Sequence, residues 1–231
     1  MPALIGAVAL AACLAQAPPP PSPPAPPPTT VENPFTHVVS NLGDDLKALP
    51  SLDNAGILTA GGIFALVFKN NNDARLHTWV LEQNSDSSAA SLGNVLGHGA
   101  TQGAAAIGVW LAGRGAGNAR VESTGASLIR AQILNGLLTQ GLKFAVDRTR
   151  PDGGAYSFPS GHTSAAFATA AVLQHDYGVA AALPAYALGG FIGWSRVRSN
   201  HHWLSDVAFG AAIGLVSGRA ASRHASPLAA A

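Results

Sequence analysis

Only 11% of the 231 residues are charged, so the places where charge collects carry information. Three clusters lie between residues 143 and 206. The first runs from Lys143 to Pro151 and reads KFAVDRTRP. Lys143 and Arg150 are seven residues apart, close to two helical turns, so a helix through both turns them to one side. Pro151 disfavours helix at Arg150, which predicts a helix fraying there. Two cations at a helix end suit an anion, but taken alone they are more simply read as a solvated terminus that complements the helix dipole. The second cluster is Phe158-Pro159-Ser160-Gly161-His162-Thr163, followed by an apolar run. Ser160 is a candidate N-cap, and Gly161 lets a ligand approach the backbone. The free N–H groups of a helix start form an anion site, and His162 in the first turn would face whatever binds there. The plainer alternative is an ordinary capped helix with an incidental histidine. The third cluster is Ser195-Arg196, then His202 and Asp206. A helix through His202 and Asp206, at i and i+4, puts both on one face. The carboxylate then fixes one imidazole nitrogen and leaves the other free as a nucleophile or base. A structural His–Asp pair is the competing reading, and Asp206 needs some partner in so apolar a stretch.

Together the clusters resemble the type 2 phosphatidic acid phosphatase (PAP2) superfamily, which includes lipid phosphate phosphatases, class A acid phosphatases and vanadium haloperoxidases. Its signature is K-x6-RP, then PSGH, then SR-x5-H-x3-D. The chain has Lys143 with six residues before Arg150-Pro151, then Pro159-Ser160-Gly161-His162, then Ser195-Arg196 with His202 and Asp206 at the matching intervals. The resemblance implies an all-α bundle of about six to eight helices with the active site at helix ends. It implies a phosphatase that needs no metal or other cofactor and acts on a phosphorylated small molecule or a lipid or isoprenoid phosphate. By the same resemblance His202 attacks phosphorus, Asp206 orients His202, and His162 gives a proton to the leaving oxygen. Lys143, Arg150 and Arg196 surround the phosphoryl oxygens, and Ser160 with the Gly161 N–H completes the cradle. No Asp/Glu cluster resembling a magnesium site stands near the motifs. One departure is the gap of seven residues between Pro151 and Pro159, where many members carry a longer insertion. Two other readings stay open: a vanadium-dependent haloperoxidase, and a non-catalytic anion-binding bundle.

Other residues near the motifs read more plainly. His201 would point about 100° from His202 on a helix and is read as incidental. Arg148 and Arg198 are read as solvated or paired, with Asp147 and Asp152 as nearby partners. His98 is read as a satisfied buried histidine. Tyr156 and Phe158 are candidates to touch the leaving group, and no spacing argument assigns Asn200 a role.

The elements that must carry these residues are helical. Apolar and small residues recur in long stretches near 36–48, 53–68, 73–84, 89–113, 119–147, 161–175, 178–196 and 203–222. Gly210, Gly214 and Gly218 fall four apart, as do Gly99 and Gly103, which predicts close helix–helix approach along those stripes. Hydrophobic residues reach 48%, which excludes a chain disordered throughout. A net charge of +1 gives no field for nucleic acid. The single cysteine, Cys13, excludes an internal disulfide and a cysteine-based zinc site.

Residues 1–17 read as an export signal, and Leu10-Ala11-Ala12-Cys13 also resembles a lipobox that would lipidate Cys13. Residues 18–34 read as a stiff spacer, because 18–28 hold nine of the sixteen prolines. The phosphatase domain is then 35–225, in the cell envelope. Uncharged stretches near 87–113 and 177–195 approach the length of a membrane crossing, but the first contains Asn94, His98 and Gln102. The expectation is a periplasmic bundle tethered by its N-terminus, with a bundle embedded in the membrane as the alternative.

Overall fold

The apolar stretches fold as helices throughout the computed structural model, which describes residues 34–83 and 87–223. Nine helices occur among the described residues: α1 (Pro34–Ala48), α2 (Leu52–Asn71), α3 (Asp73–Glu82), α4 (Ser87–Gly97), α5 (Gly99–Gly115), α6 (Ala119–Val146), α7 (Gly161–Tyr177), α8 (Val179–Arg198) and α9 (Leu204–Ser222). The all-α class stands, with one helix more than the expected six to eight. The extra helix comes from the stretch 89–113, which breaks at His98. That residue is extended (φ −63°, ψ 133°), and its Nδ1 accepts the Ala100 N–H at 3.2 Å, so it caps a new helix rather than continuing the old one. Ser51, Asn118 and Ser160 cap α2, α6 and α7 in the same way. The expected signal, Cys13 and the proline spacer up to residue 33 lie outside the described residues.

The helix α9 packs against α7, α2 and α6. Its glycine stripe explains how closely it meets α7. A methyl on Gly210 would meet the Ser160 carbonyl at 2.6 Å, and one on Gly218 the Ala168 carbonyl at 2.5 Å, while Gly214 lies as tightly over the Ser164 carbonyl. The Gly99–Gly103 stripe does no such thing, since nothing stands within 4 Å of either. The core between α6, α7 and α9 is correspondingly fine-grained, built on Ala131, Leu134, Ala168, Val172, Ala220 and Ala221. One buried ion pair ties α1 to α6. Arg130 Nε donates to Asp45 Oδ2 at 2.7 Å, and Arg130 Nη2 reaches the Ala221 carbonyl of α9 at 2.8 Å.

The outer surface is unusual in its distribution of charge. No Asp, Glu, Lys or Arg occurs in 54–68, 99–113, 131–142, 163–174, 179–195 or 207–218. Large apolar side chains stand exposed in these same segments, including Leu66 (62%), Leu137 (58%) and Leu183 (58%). Among the described residues, α2 is the one helix long and apolar enough to cross a membrane by length and composition, and only 11% of its apolar window is buried.

Candidate active site

The end of α6, the start of α7, the end of α8 and the turn before α9 close around a cavity of about 450 Å³. Lys143, Arg150, Gly161, His162, Arg196 and His202 all line it. Asp206 lies fully buried behind His202. Of the eight residues expected at the site, only Ser160 is turned away. Its side chain is buried and its Oγ is engaged with Thr163, 3.0 Å from that hydroxyl and accepting the Thr163 N–H. Ser160 therefore shapes the helix start instead of lining the cavity.

The routes by which the residues arrive differ from simple helical register. The helix α6 ends at Val146, and Asp147 takes a left-handed conformation (φ 41°, ψ 49°), so Arg150 enters from the loop. That short loop is held by its own backbone, with Arg150 N–H donating to Gly154 O at 2.7 Å and Ser157 N–H to Arg148 O at 2.7 Å. His202 precedes α9 and is not on its face. Asp206, in the first turn of α9, accepts the Trp203 N–H at 2.9 Å, which brings the turn carrying His202 back over the carboxylate. His202 Nδ1 lies 3.6 Å from Asp206 Oδ2, facing it just beyond hydrogen-bond length. Arg196 is anchored by Asn94 of α4, which also donates to Ser199 Oγ at 3.4 Å. Lys143 Nζ donates to the Tyr156 carbonyl at 2.6 Å.

The cations of this cavity are not balanced by acids within it. Arg150 Nε and Arg196 Nε are buried with no hydrogen-bond partner among the described residues, as expected of donors awaiting an anion. Burial, then Arg150, pull Lys143 down to about 8, although Asp206 opposes them. Burial and Arg150 likewise lower Arg196 to about 10. Burial lowers His202 to about 4 against the pull of Asp206, so His202 is neutral with a free lone pair at neutral pH. His162 is pulled down to about 3 by burial, then by Arg196, His202, His98 and His201. Burial would raise Asp206, but the facing His202 ring, the Ser157 hydroxyl, Arg148 and the Trp203 N–H hold it below the usual carboxylate range. The cavity thus gathers a neutral imidazole at His202, a second histidine and three cations.

Several neighbours behave differently from their sequence reading. Arg148 pairs with Asp206 Oδ1 at 2.6 Å and Asp73 Oδ2 at 2.8 Å, and not with Asp147 or Asp152. His98 is exposed at the cavity wall, edge-on to His162 with ring centroids 5.6 Å apart. Phe158 stacks on Phe209 (4.9 Å) and faces a separate apolar cavity, while Tyr156 packs against Phe144 (5.3 Å). Asn200 (φ 62°) holds the two loops together through its carbonyl, which accepts the Asp152 N–H at 3.1 Å.

Residues missed by spacing alone are Asn94, Asp73 and Ser157, together with the wall formed by Gln132, Asn135, Thr139 and Gln140 of α6. The polarity of Asn94, His98 and Gln102 within an apolar stretch was the available signal. Asn94 holds Arg196, His98 lines the cavity, and Gln102 Oε1 accepts the Thr169 hydroxyl at 2.7 Å.

Residues 124–226 match the model of the PAP2 superfamily. Over 90 residues, 37% of this chain, the sequence is 41% identical to a Lipid A 1-phosphatase of Porphyromonas gingivalis. The chain spans one fifth (20%) of that relative's length. Among solved structures, the crystal structure of Aquifex aeolicus LpxE is similar in fold, with a TM-score of 0.56 and 22% identity over 66% of this chain and 95% of that one.

Proposed function

We propose, from the match of residues 124–226 to the PAP2 superfamily model, a phosphatase that hydrolyses lipid phosphates in the cell envelope through a phosphohistidine at His202. The observation that carries this reading is the convergence of Lys143, Arg150, His162, Arg196 and His202 on one cavity, with Asp206 behind the nucleophile. The Lipid A 1-phosphatase relative supports the substrate class.

The chemistry follows from the placement of charge. Lys143, Arg150 and Arg196 hold the phosphoryl oxygens with fixed positive charge, which is most of what phosphoryl transfer asks of a protein. With Nδ1 turned to Asp206, His202 attacks phosphorus through Nε2, forming the P–N bond as the P–O bond to the substrate alcohol breaks. His162 gives its proton to the departing oxygen. A water then attacks the phosphohistidine, His162 accepts the water's proton, and inorganic phosphate leaves. Beyond the cations, the amides of Gln132, Asn135 and Gln140 and the Thr139 hydroxyl form a polar wall suited to a hydroxylated headgroup.

Gly161 supplies an immediate test of this arrangement. A methyl on Gly161 meets nothing within 4 Å, so it would project into open space beside the phosphate position without disturbing the fold. Gly161→Ala is expected to raise KM by about tenfold, roughly 1.4 kcal/mol of binding, with Tm unchanged. Titration of KM beside thermal unfolding checks both halves.

The reading includes a bundle set into the bilayer. The charge-free segments run from twelve to seventeen residues. At ~1.5 Å per residue they span roughly 18–26 Å, approaching the ~30 Å of a hydrocarbon core. The polar residues that argued against immersion, Asn94, His98 and Gln102, turn to the site and its supporting network. The catalytic residues all fall outside these segments, where water is available. The deciding experiment washes membranes with carbonate, for the full chain and for a form lacking residues 1–33. Phosphate release from a lipid phosphate and from p-nitrophenyl phosphate is then assayed with EDTA present. Both forms should stay in the pellet, need detergent and favour the lipid. A truncated form that washes off active and favours p-nitrophenyl phosphate would instead mean a tethered periplasmic body.

A further inference from the structure

A chain of buried charges runs away from the nucleophile to a helix outside every motif. Asp206, behind His202, accepts Arg148 Nη1 at 2.6 Å, and the other arm of the same guanidinium donates to Asp73 Oδ2 at 2.8 Å. Asp73 opens α3 and is only 4% exposed. It also accepts the Ser205 N–H at 3.0 Å and the Ser205 hydroxyl, and that hydroxyl in turn accepts Arg148 Nη1 at 2.6 Å. Ser205 immediately precedes Asp206, so the carboxylate of α3 grips the backbone next to the residue that orients His202. Trp203 covers the guanidinium at 5.5 Å and donates its indole N–H to the Thr149 carbonyl at 2.9 Å.

We infer that Asp73 is a positioning residue for the phosphatase reaction: it fixes and electrically balances Arg148, which in turn sets the place and charge of Asp206 behind His202. Arg148 uses both arms of its fork on two carboxylates, a geometry that orients all three groups at once. Attack on phosphorus leaves a cationic imidazole, and the carboxylate that must stabilise it already faces an arginine. Without Asp73, the positive charge of Arg148 would bear on Asp206 and His202 uncompensated. A staple that merely tied α3 to α9 would need the hydrogen bonds but not this balance of charge.

The inference rests on the reading of His202 as nucleophile, and its test separates charge from structure. The groups facing His202 are Lys143 of α6, His162 of α7, Arg196 of α8 and Asp206 of α9. All of these residues are retained in two variants, Asp73→Asn and Arg148→Gln. The acid limb of kcat/KM reports protonation of His202, which removes its lone pair. Asp73→Asn deletes a negative charge, makes the field at His202 more positive and should move that limb to lower pH. Arg148→Gln deletes a positive charge and should move it to higher pH. Shifts of about half a pH unit in opposite directions are expected, on the order of one charge acting across roughly 10 Å of protein. In both variants kcat should fall about tenfold or more with KM within about twofold. Arg148→Lys keeps the charge but loses the fork, so its limb should stay put while kcat falls. Loss of activity in step with Tm and with unmoved limbs would make the network structural only and overturn the inference. So would a wild-type kcat in Asp73→Asn. Absence of phosphate release from the wild-type enzyme in the same assay would instead count against the phosphatase reading itself.

Discussion

His202→Ala should lower kcat by at least about 10³-fold on every phosphate ester tested, with little change in substrate binding. Removing a covalent nucleophile abolishes the reaction path itself, and what remains is the electrostatic and binding contribution of the surrounding groups. Those groups are independent of the His202 ring. Lys143 is held by the Tyr156 carbonyl, Arg196 by Asn94, and Arg150 by the loop backbone. The variant should therefore still bind inorganic phosphate or vanadate, and the KM-against-kcat split makes the prediction specific. A loss of less than tenfold would mean that some other group, or water directly, attacks phosphorus.

The second large effect is expected at His162 and depends on the leaving group. A positioned general acid is worth about 10²–10⁴-fold where the departing oxygen must be protonated. An alcohol leaving as alkoxide needs that proton, while p-nitrophenolate does not. His162→Ala should thus lose the full 10²–10⁴-fold on a lipid phosphate and under about tenfold on p-nitrophenyl phosphate, to the order of the acid's own worth. The pH profile carries the same signature. His162 lies at about 3, because burial and the nearby Arg196 and His202 disfavour its charged form. A bound phosphate brings negative charge that opposes Arg196 and favours the protonated ring.

The productive complex then holds one proton, shared between phosphate and His162, and that proton is lost as pH rises through the second ionisation of the ester near ~6. On the acid side His202 must stay neutral, and its value of about 4 places that limb. Activity of the wild-type enzyme on lipid phosphate should therefore peak on the acid side of neutrality, falling about tenfold per unit above ~6. Equal losses in His162→Ala on both substrates would remove His162 from the proton transfer.

Much of this site was legible because the three motifs are local. His162 one residue after Gly161, and Arg196 six before His202, bring chemistry together through a single turn or helix end. What could not be read is what tertiary packing supplies. Arg148 has acids one and four residues away, yet it pairs with Asp206 and Asp73, 58 and 75 residues distant. Nothing in the spacing around Asp73 or Asn94 indicates that α3 and α4 reach the site. Helical register also misled in detail. It placed Lys143 with Arg150, and His202 with Asp206, on shared helix faces. In both pairs the chain leaves the helix between them, and the contacts are rebuilt by a left-handed Asp147 and by the Trp203 N–H on Asp206. Ser160 was assigned two tasks, capping and cradling, and its single hydroxyl performs the first. The glycine stripe of α9 was readable because close approach has few other causes, whereas two glycines at the exposed start of α5 marked nothing.

The most direct test of the account traps the intermediate. Wild-type enzyme mixed with a phosphate ester labelled on phosphorus, quenched in alkali within one turnover and digested with protease, should yield label on the peptide containing His202. The label should be stable to base, lost in acid and absent from His202→Ala. Label on any other residue, or label that persists in His202→Ala, would contradict the assignment of His202 as the nucleophile.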